Sequence, residues 1–329
     1  MLKLTFKDVG HGDSIILEWQ HQNQNKIAII DCNISDDRRI PTLEYLKSTS
    51  SYKEIEFILL SHPHYDHYSG MNKLLQHCAK EGIIINLFMH TAFTNPKYFI
   101  ETAVKSLIAK DELRKLFITI RDLNKSKIIK AQGYITSDFR ELSLSDSIKL
   151  KIIAPTTEEF ELYKDKVHYS IDDESCHNIP NANFISTVIK LYSKKWYLLL
   201  TSDCQKHALN YFNQNNNDET NNEELYLGQI PHHGSINNHN EKFWKSLNKN
   251  SQSRVVFSCG VNSYNHPSFE VVDFFRKNNY KIEFTNKVGG LCYEDIEIEN
   301  ISIELDLTSE QIEANIPDYF ERGDKEFYI

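Results

Sequence analysis

Six consecutive positions, His62-Pro63-His64-Tyr65-Asp66-His67, hold three imidazoles and a carboxylate directly after the apolar run Ile55-Glu56-Phe57-Ile58-Leu59-Leu60. A run of that kind reads as a buried strand, so the cluster stands where a strand ends. Imidazole and carboxylate together suit borderline divalent ions such as Zn²⁺, Mn²⁺ or Fe²⁺. In an extended loop leaving the strand, His62 and His64 point the same way. Asp66 and His67, at the turn into the next helix, can face a second ion beside the first. Pro63 stiffens the loop and removes a donor that would need a partner. The bland alternative is a loop of solvated histidines. A single structural zinc site would not need the carboxylate, whereas a two-ion hydrolytic site would.

The rest of the chain must therefore supply a scaffold and further donors. With 329 residues, 40% hydrophobic and 12% aromatic, it is long enough for two domains or one large layered α/β domain. Strand-like segments are LKLTF, DSIILEW, KIAIIDCN and EIEFILLSH, then IKLKIIAP, FISTVIKLY, KKWYLLLTSD, RVVFSCG and YKIEFTN. Helices are expected around Pro41 to Ser48 and over SGMNKLLQHCAKEG, with Gly82 as the stop. Many strands with helices between them suggest stacked sheets with helices outside, not a doubly wound parallel sheet. Residues 95–130 read as an inserted helical cap or lid. Residues 213–224 read as a polar loop without chemistry.

EDIEIENISIELDLT alternates acidic and aliphatic residues as a strand with one wet face would, and the last twenty or so residues read as a peripheral acidic appendage. No stretch reaches the roughly 18 to 20 apolar residues of a membrane helix. The N-terminus reads as strand, turn and strand, not as a signal peptide, so a soluble cytoplasmic protein is expected. The six cysteines form no CxxC pair and read as reduced thiols. No phosphate-binding glycine loop is present.

The formal charge of −9 disfavours broad nucleic-acid binding, but it is unevenly distributed. Residues 293–329 carry a net −10, which leaves the first 292 near +1. A polyanionic substrate is therefore compatible with the body of the chain. Lys97, Lys105, Lys110, Lys115, Lys125, Lys127 and Lys130 could form a cationic wall, or merely a solvated helix face.

Two later segments can complete a two-ion site. WYLLLTSDC ends an apolar run on Asp203, which taken alone could be a turn residue. GQIPHHGS places His232 and His233 in a Pro/Gly-bounded loop. HPHYDH looks like the signature of metallo-β-lactamase fold hydrolases. Val9-Gly10-His11-Gly12-Asp13, Leu200-Thr201-Ser202-Asp203, Pro231-His232-His233-Gly234-Ser235 and SCGVNSYNHPS at 258–268 resemble, in order and spacing, motifs of the hydrolase domain at the C-terminus of the ComEC DNA-uptake proteins.

The resemblance spans residues 1–295 and implies an αββα four-layer sandwich carrying the helical insert, followed by an acidic extension over 296–329. It implies two divalent metal ions, zinc or manganese. His62 and His64 would bind the first, Asp66, His67 and His233 the second, and Asp203 would bridge them. Asp31 would support the metal histidines from behind, with Asp13 and Asn183 also near the site. His232 and His266 would face the scissile phosphate, and Asp66 or Asp203 would orient the attacking water. This chain has Ser202 where the family has glycine, and His11 where it has glutamine. His168 and His177 read as ordinary loop histidines, and His21, His77, His90, His207 and His239 as structural or solvated.

The implied activity is metal-dependent phosphodiester hydrolysis, with a nuclease acting on DNA foremost. Soluble stand-alone relatives also look like effectors of bacterial multi-gene defence systems. Two alternatives stand beside it: a phosphodiesterase for a cyclic nucleotide or phosphocholine ester, and a subunit gated by a protein partner through the acidic tail.

Overall fold

The computed structural model describes residues 1–49, 51–91, 106–172, 181–215, 223–286 and 323–329. In the first half these are β1 (Leu2–Phe6), β2 (Ile15–His21), β3 (Gln24–Ile30), α1 (Pro41–Ser48), β4 (Glu54–Ile55), β5 (Phe57–Leu60), α2 (Tyr65–Tyr68), α3 (Met71–Glu81), β6 (Ile84–Ile85), β7 (Phe88–His90), α4 (Leu107–Lys125) and β8 (Gln132–Tyr134). In the second half they are β9 (Leu142–Ser143), β10 (Lys149–Ala154), α5 (Thr157–Asp172), β11 (Val188–Tyr192), β12 (Trp196–Leu200), α6 (Ala208–Asn215), β13 (Glu224–Gln229), α7 (Glu241–Ser246), β14 (Lys249–Phe257), α8 (Phe269–Lys277), β15 (Lys281–Phe284) and β16 (Lys325–Tyr328).

One sheet runs β16-β1-β2-β3-β5-β7-β8 and the other β15-β14-β13-β12-β11-β10-β9, while β4 and β6 form a small separate pair. The side-chain alternation of the central strands explains the layering. In β3, Ala28 and Ile30 face the core between the sheets, while Ile27 and Ile29 face an outer helical layer. In β12, Leu198 and Leu200 point inward, while Tyr197 and Leu199 meet the outer cluster that holds Phe243, Trp244 and Phe275 of α7 and α8. Strands buried on both faces lose their polar/apolar alternation and read as unbroken apolar runs. The expected stacked sheets with helices outside are what forms.

Three expectations change. The described part of the insert, α4, is no lid: Leu113, Leu116 and Ile120 are buried in the same cluster as Leu74 and Leu75 of α3. It also buttresses the site, because the Tyr68 hydroxyl of α2 donates to the Ala109 carbonyl at 2.8 Å. The polar loop is shorter than expected, since α6 extends to Asn215 and β13 begins at Glu224.

The chain's end is not peripheral: β16 pairs antiparallel with β1, and Phe327 is buried against the edge of the Phe6 ring. The acidic Asp324 and Glu326 there pair with Lys7 and Lys3. The alternating segment EDIEIENISIELDLT lies outside the described residues. No described helix is long and apolar enough to cross a membrane.

Candidate functional site

Four of the segments that build the site leave the C-terminal end of a strand, where the backbone stops pairing and side chains can converge. Asp31 follows β3, Ser61 and His62 follow β5, Thr201 to Asp203 follow β12, and Pro231 to His233 follow β13. The β1–β2 turn brings His11, Gly12 and Asp13 to the same end. Gly12 has φ +128°, and a Cβ there would overlap the Asn33 side chain and the Asp66 carbonyl. Gly234 (φ +92°) is likewise closed in by Pro267 and Phe257. Asp31, Ser202, His232 and His233 all hold left-handed backbone (φ 45–57°), conformations that persist only where the surroundings impose them.

These loops build two clusters of donor atoms that share one carboxylate: His62, His64 and Asp203 in the first, and Asp66, His67, His233 and Asp203 in the second. Oδ1 of Asp203 lies 3.4 Å from both His67 Nε2 and His233 Nε2, and Oδ2 lies 3.7 Å from His62 Nε2. Asp66 Oδ2 stands 3.5 Å from His233 Nε2 and 4.0 Å from His67 Nε2. Donors bound ~2.0–2.2 Å from one tetrahedral ion are themselves roughly 3.3–3.6 Å apart. These separations are too long for good hydrogen bonds and right for a shared cation. The Nε2 atoms of His62, His67 and His233 and Oδ1 of Asp203 are buried with no hydrogen-bond partner among the described residues. Leaving such atoms unpaired is costly, and a divalent ion in each cluster would satisfy them. The donor set fits metal.

The surrounding hydrogen bonds orient these imidazoles. His67 Nδ1 meets Asp31 Oδ2 at 2.8 Å, and Asp31 also accepts from Ser61 N at 2.7 Å and Ser61 Oγ at 2.6 Å. His233 Nδ1 donates to the Ser258 carbonyl at 2.6 Å. In both rings the proton is held on Nδ1, so Nε2 presents its lone pair to the centre. His62 Nδ1 lies 3.1 Å from Ser61 Oγ and 3.4 Å from the hydroxyls of Ser186 and Ser202. Asp13 lies 3.8 Å from His67 Nδ1 and accepts from Gln229 Nε2 at 2.7 Å. Gln229 Oε1 in turn receives the Thr201 and Ser202 amides, which fixes the Asp203 loop.

The electrostatics follow from this crowding. Burial would raise the Asp203 carboxyl, but His233, His67 and His232 outweigh it and hold it well below its ordinary range. Asp66 is also lowered, with His67 and His233 overcoming burial. Burial lowers His62 well below 6.5, with His67 and His64 adding to the effect. Burial opposes the charged form of His233 too, yet Asp203 and Asp66 raise it to about 9.

Residues 8–157 match the family model of the metallo-beta-lactamase superfamily. That segment is similar to the metallo-beta-lactamase superfamily. Similar solved structures include the metallo-beta-lactamase fold protein YhfI from Bacillus subtilis (11% identity, covering 86% of this chain and 96% of that one, TM-score 0.42). Zn²⁺-bound PqqB from Methylobacterium extorquens (7%, 85% and 97%, TM-score 0.47) and a long form of RNase Z from yeast (10%, 82% and 39%, TM-score 0.39) are also similar. No curated protein matches the chain.

The six expected metal donors come together in two groups, although Asp203 and His233 lie beyond the matched segment. Asp31 and Asp13 stand behind His67. Asn183 is buried on the 3-10 turn Ala182–Ile185 that leads into Ser186, and its Oδ1 has no partner among the described residues.

His11, the departure from glutamine, has Nε2 3.8 Å from Asp66 Oδ2 and its ring 4.4 Å from that of His233. His266 sits at the rim, its ring 5.3 Å from His232 and 6.4 Å from His11. His177 lies outside the described residues, and the backbone at His168 is helical, within α5. His90 and His239 are buried and His207 pairs with Glu159, all away from the donor clusters. Sequence reasoning missed Ser61, Ser186 and Gln229, whose only signal is that each stands at or just beyond the end of an element, and Asn238, in the loop before α7. It noted Ser202 only as a departure, yet that hydroxyl donates to Ser61 Oγ at 2.8 Å and joins the network behind His62.

Proposed function

We propose that this chain is a metal-dependent phosphodiesterase acting through a dinuclear centre, and specifically a nuclease with DNA as the favoured substrate. The observation that carries the reading is Asp203, whose two oxygens face two separate groups of imidazoles. One carboxylate shared in this way would hold two ions together with His62 and His64 on one side and Asp66, His67 and His233 on the other. Two such ions, when bound, supply Lewis-acid stabilisation of phosphoryl oxygens and lower the pKa of an attacking water.

The chain's own groups do the rest. Asp66, with 28% of its side chain exposed, reaches the open side and can accept a hydrogen bond from the attacking water. His266 and His11 stand at the rim, where an imidazole can stabilise a phosphoryl oxygen or receive and return a proton. Asp31, Asp13 and Ser61 keep His67 in its ligating tautomer. The motifs shared with ComEC-type hydrolase domains support a nucleic-acid substrate, and Tyr264, 69% exposed beside His266, is a surface on which a base could stack.

A small phosphodiester is the second reading. It is favoured by the ion pairs of Lys115 with Asp111 and Glu112 and of Lys130 with Glu54, which leave the insert a weaker cationic wall than its composition suggests. The deciding experiment incubates purified protein with Mn²⁺ or Zn²⁺. Single- and double-stranded DNA and RNA, a cyclic nucleotide, a phosphocholine ester and bis(p-nitrophenyl) phosphate are supplied as substrates, with Asp66→Ala as the control. Cleavage of DNA by the wild type alone is expected. If every substrate survives, the reading fails.

A further inference from the structure

Tyr264 belongs to a shelf of three rings beside the donor clusters. Its ring lies 5.9 Å from His11 at 33° and 5.9 Å from His266 at 27°, and those two imidazoles are 6.4 Å apart at 34°. The shelf reaches the open carboxylate, because His11 Nε2 is 3.8 Å from Asp66 Oδ2. His11 and His266 are half-buried, whereas Tyr264 is exposed, as is its neighbour Val261.

The loop that carries the ring is held before any ligand arrives. Asn262 Nδ2 donates to the carbonyls of Gly260 (2.8 Å) and His266 (2.6 Å), and its Oδ1 accepts from the amides of Tyr264 (2.9 Å) and His266 (3.0 Å). All four hydrogen-bonding positions of that side-chain amide are thus used within one loop. A Cβ at Gly260 would overlap the backbone of Gly10 and His11, so the loop packs directly on the β1–β2 turn that carries His11. A ring fixed in this way loses little freedom when a partner settles on it.

The charge of the surrounding loops decides what that partner is. Residues 8–14, 230–240 and 258–268 contain no Lys or Arg. A duplex presents phosphates outward and keeps its base faces inside its own stack, so it is gripped mainly by cations. An unpaired strand offers base faces, for which an exposed aromatic ring is a partner whatever the sequence. This side of the site has the ring and lacks the cations.

We propose that Tyr264 is a stacking platform for an unpaired base next to the scissile phosphate, so that the enzyme selects single-stranded substrate, and that Asn262 is the positioning residue that holds the platform. This rests on the nuclease reading above and deepens it.

The test is binding, read by fluorescence anisotropy on Zn²⁺-loaded full-length protein. The probe is a labelled thymidine strand of roughly eight nucleotides whose phosphoramidate linkages resist hydrolysis. Wild type should hold it at least ~10-fold more tightly than the same strand paired with its complement, or than an abasic strand of the same backbone. Tyr264→Ala should weaken the thymidine strand about 10-fold or more, and Asn262→Ala should fall with it, while Tyr264→Phe should stay within about threefold of wild type. The abasic strand should bind wild type and all three variants alike.

Equal binding of the thymidine, paired and abasic strands by wild type would overturn the proposal, and that comparison uses no variant that could misfold. Tyr264→Ala binding the thymidine strand as wild type does would also overturn it. Capture of a phosphocholine ester in place of the strand would assign the ring to a quaternary ammonium instead, and the proposal would fall. No arm requires cleavage: strand binding through Tyr264 without any hydrolysis would sink the phosphodiesterase reading alone.

Discussion

Replacing Asp31 by asparagine preserves shape and removes only the ability of one atom to accept. Asp31 is wholly buried; Oδ1 takes the Ser61 amide at 2.7 Å, while Oδ2 meets His67 Nδ1 at 2.8 Å and Ser61 Oγ at 2.6 Å. If the new amide nitrogen takes the Oδ2 position, it can only donate, and His67 must move its proton from Nδ1 to Nε2. Nε2 then points a proton at Asp203 Oδ1, 3.4 Å away, and no longer offers a lone pair to the second site. If the amide turns over instead, its nitrogen faces the Ser61 amide and a buried donor loses its acceptor, at a cost of about 1–3 kcal/mol.

Either route withholds that energy from metal binding, and at ~1.4 kcal/mol per factor of ten it predicts roughly 10–100-fold weaker binding at one site. Chelator-competition calorimetry on folded Asp31→Asn should therefore show the site of Asp66, His67 and His233 weakened and the site of His62 and His64 preserved. Both affinities within about threefold of wild type, or loss at the other site, would refute the tautomer argument.

Other consequences can be measured on stability. Stripping metal should lower Tm, because saturating each site at about 100 times its Kd contributes ~2.7 kcal/mol; identical melting in chelator and in excess zinc would contradict the fit of the donors to metal. His90, buried near Phe88 and Phe117, is lowered by burial from 6.5 to about 4, against a hydrogen bond it donates to Gln132. A folded pKa below the unfolded one leaves its stabilisation intact above pH ~6.5 and removes it as pH falls towards 4, by at most about 3 kcal/mol. Urea unfolding of His90→Leu should accordingly lose less stability across that window than wild type, and parallel curves would disprove the assignment. Phe327→Ala should destabilise by about 2–3 kcal/mol, less than a central Phe→Ala because β16 is an edge strand. A change below ~0.5 kcal/mol would mean that the last strand contributes little to the folded sheet.

Some of this architecture is readable locally. α1 begins at Pro41, and α3 ends at Gly82, whose φ of +67° is the left-handed cap that glycine tolerates best. The double-sided apolar runs of β3, β5 and β12 announce strands buried on both faces. The insert misleads, because amphipathic α4 has the same local pattern whether it covers a site or packs into a layer, and only the partner face of α3 decides. The terminal strand misleads as well. Lys325-Glu326-Phe327-Tyr328 is too short and polar to announce a place in a sheet until β1 offers it an open edge.

The site divides along the same line. HPHYDH by itself determined that imidazole and carboxylate donors would crowd the end of a buried strand, because their spacing is local and covalent. Which oxygen of Asp203 each imidazole faces, and which hydroxyls and amides hold the tautomers, were decided only by tertiary structure. Those relations join loops more than a hundred residues apart, as in the Ser202–Ser61 and Gln229–Asp13 contacts, and they form only when the two sheets stack and bring their strand ends to one edge.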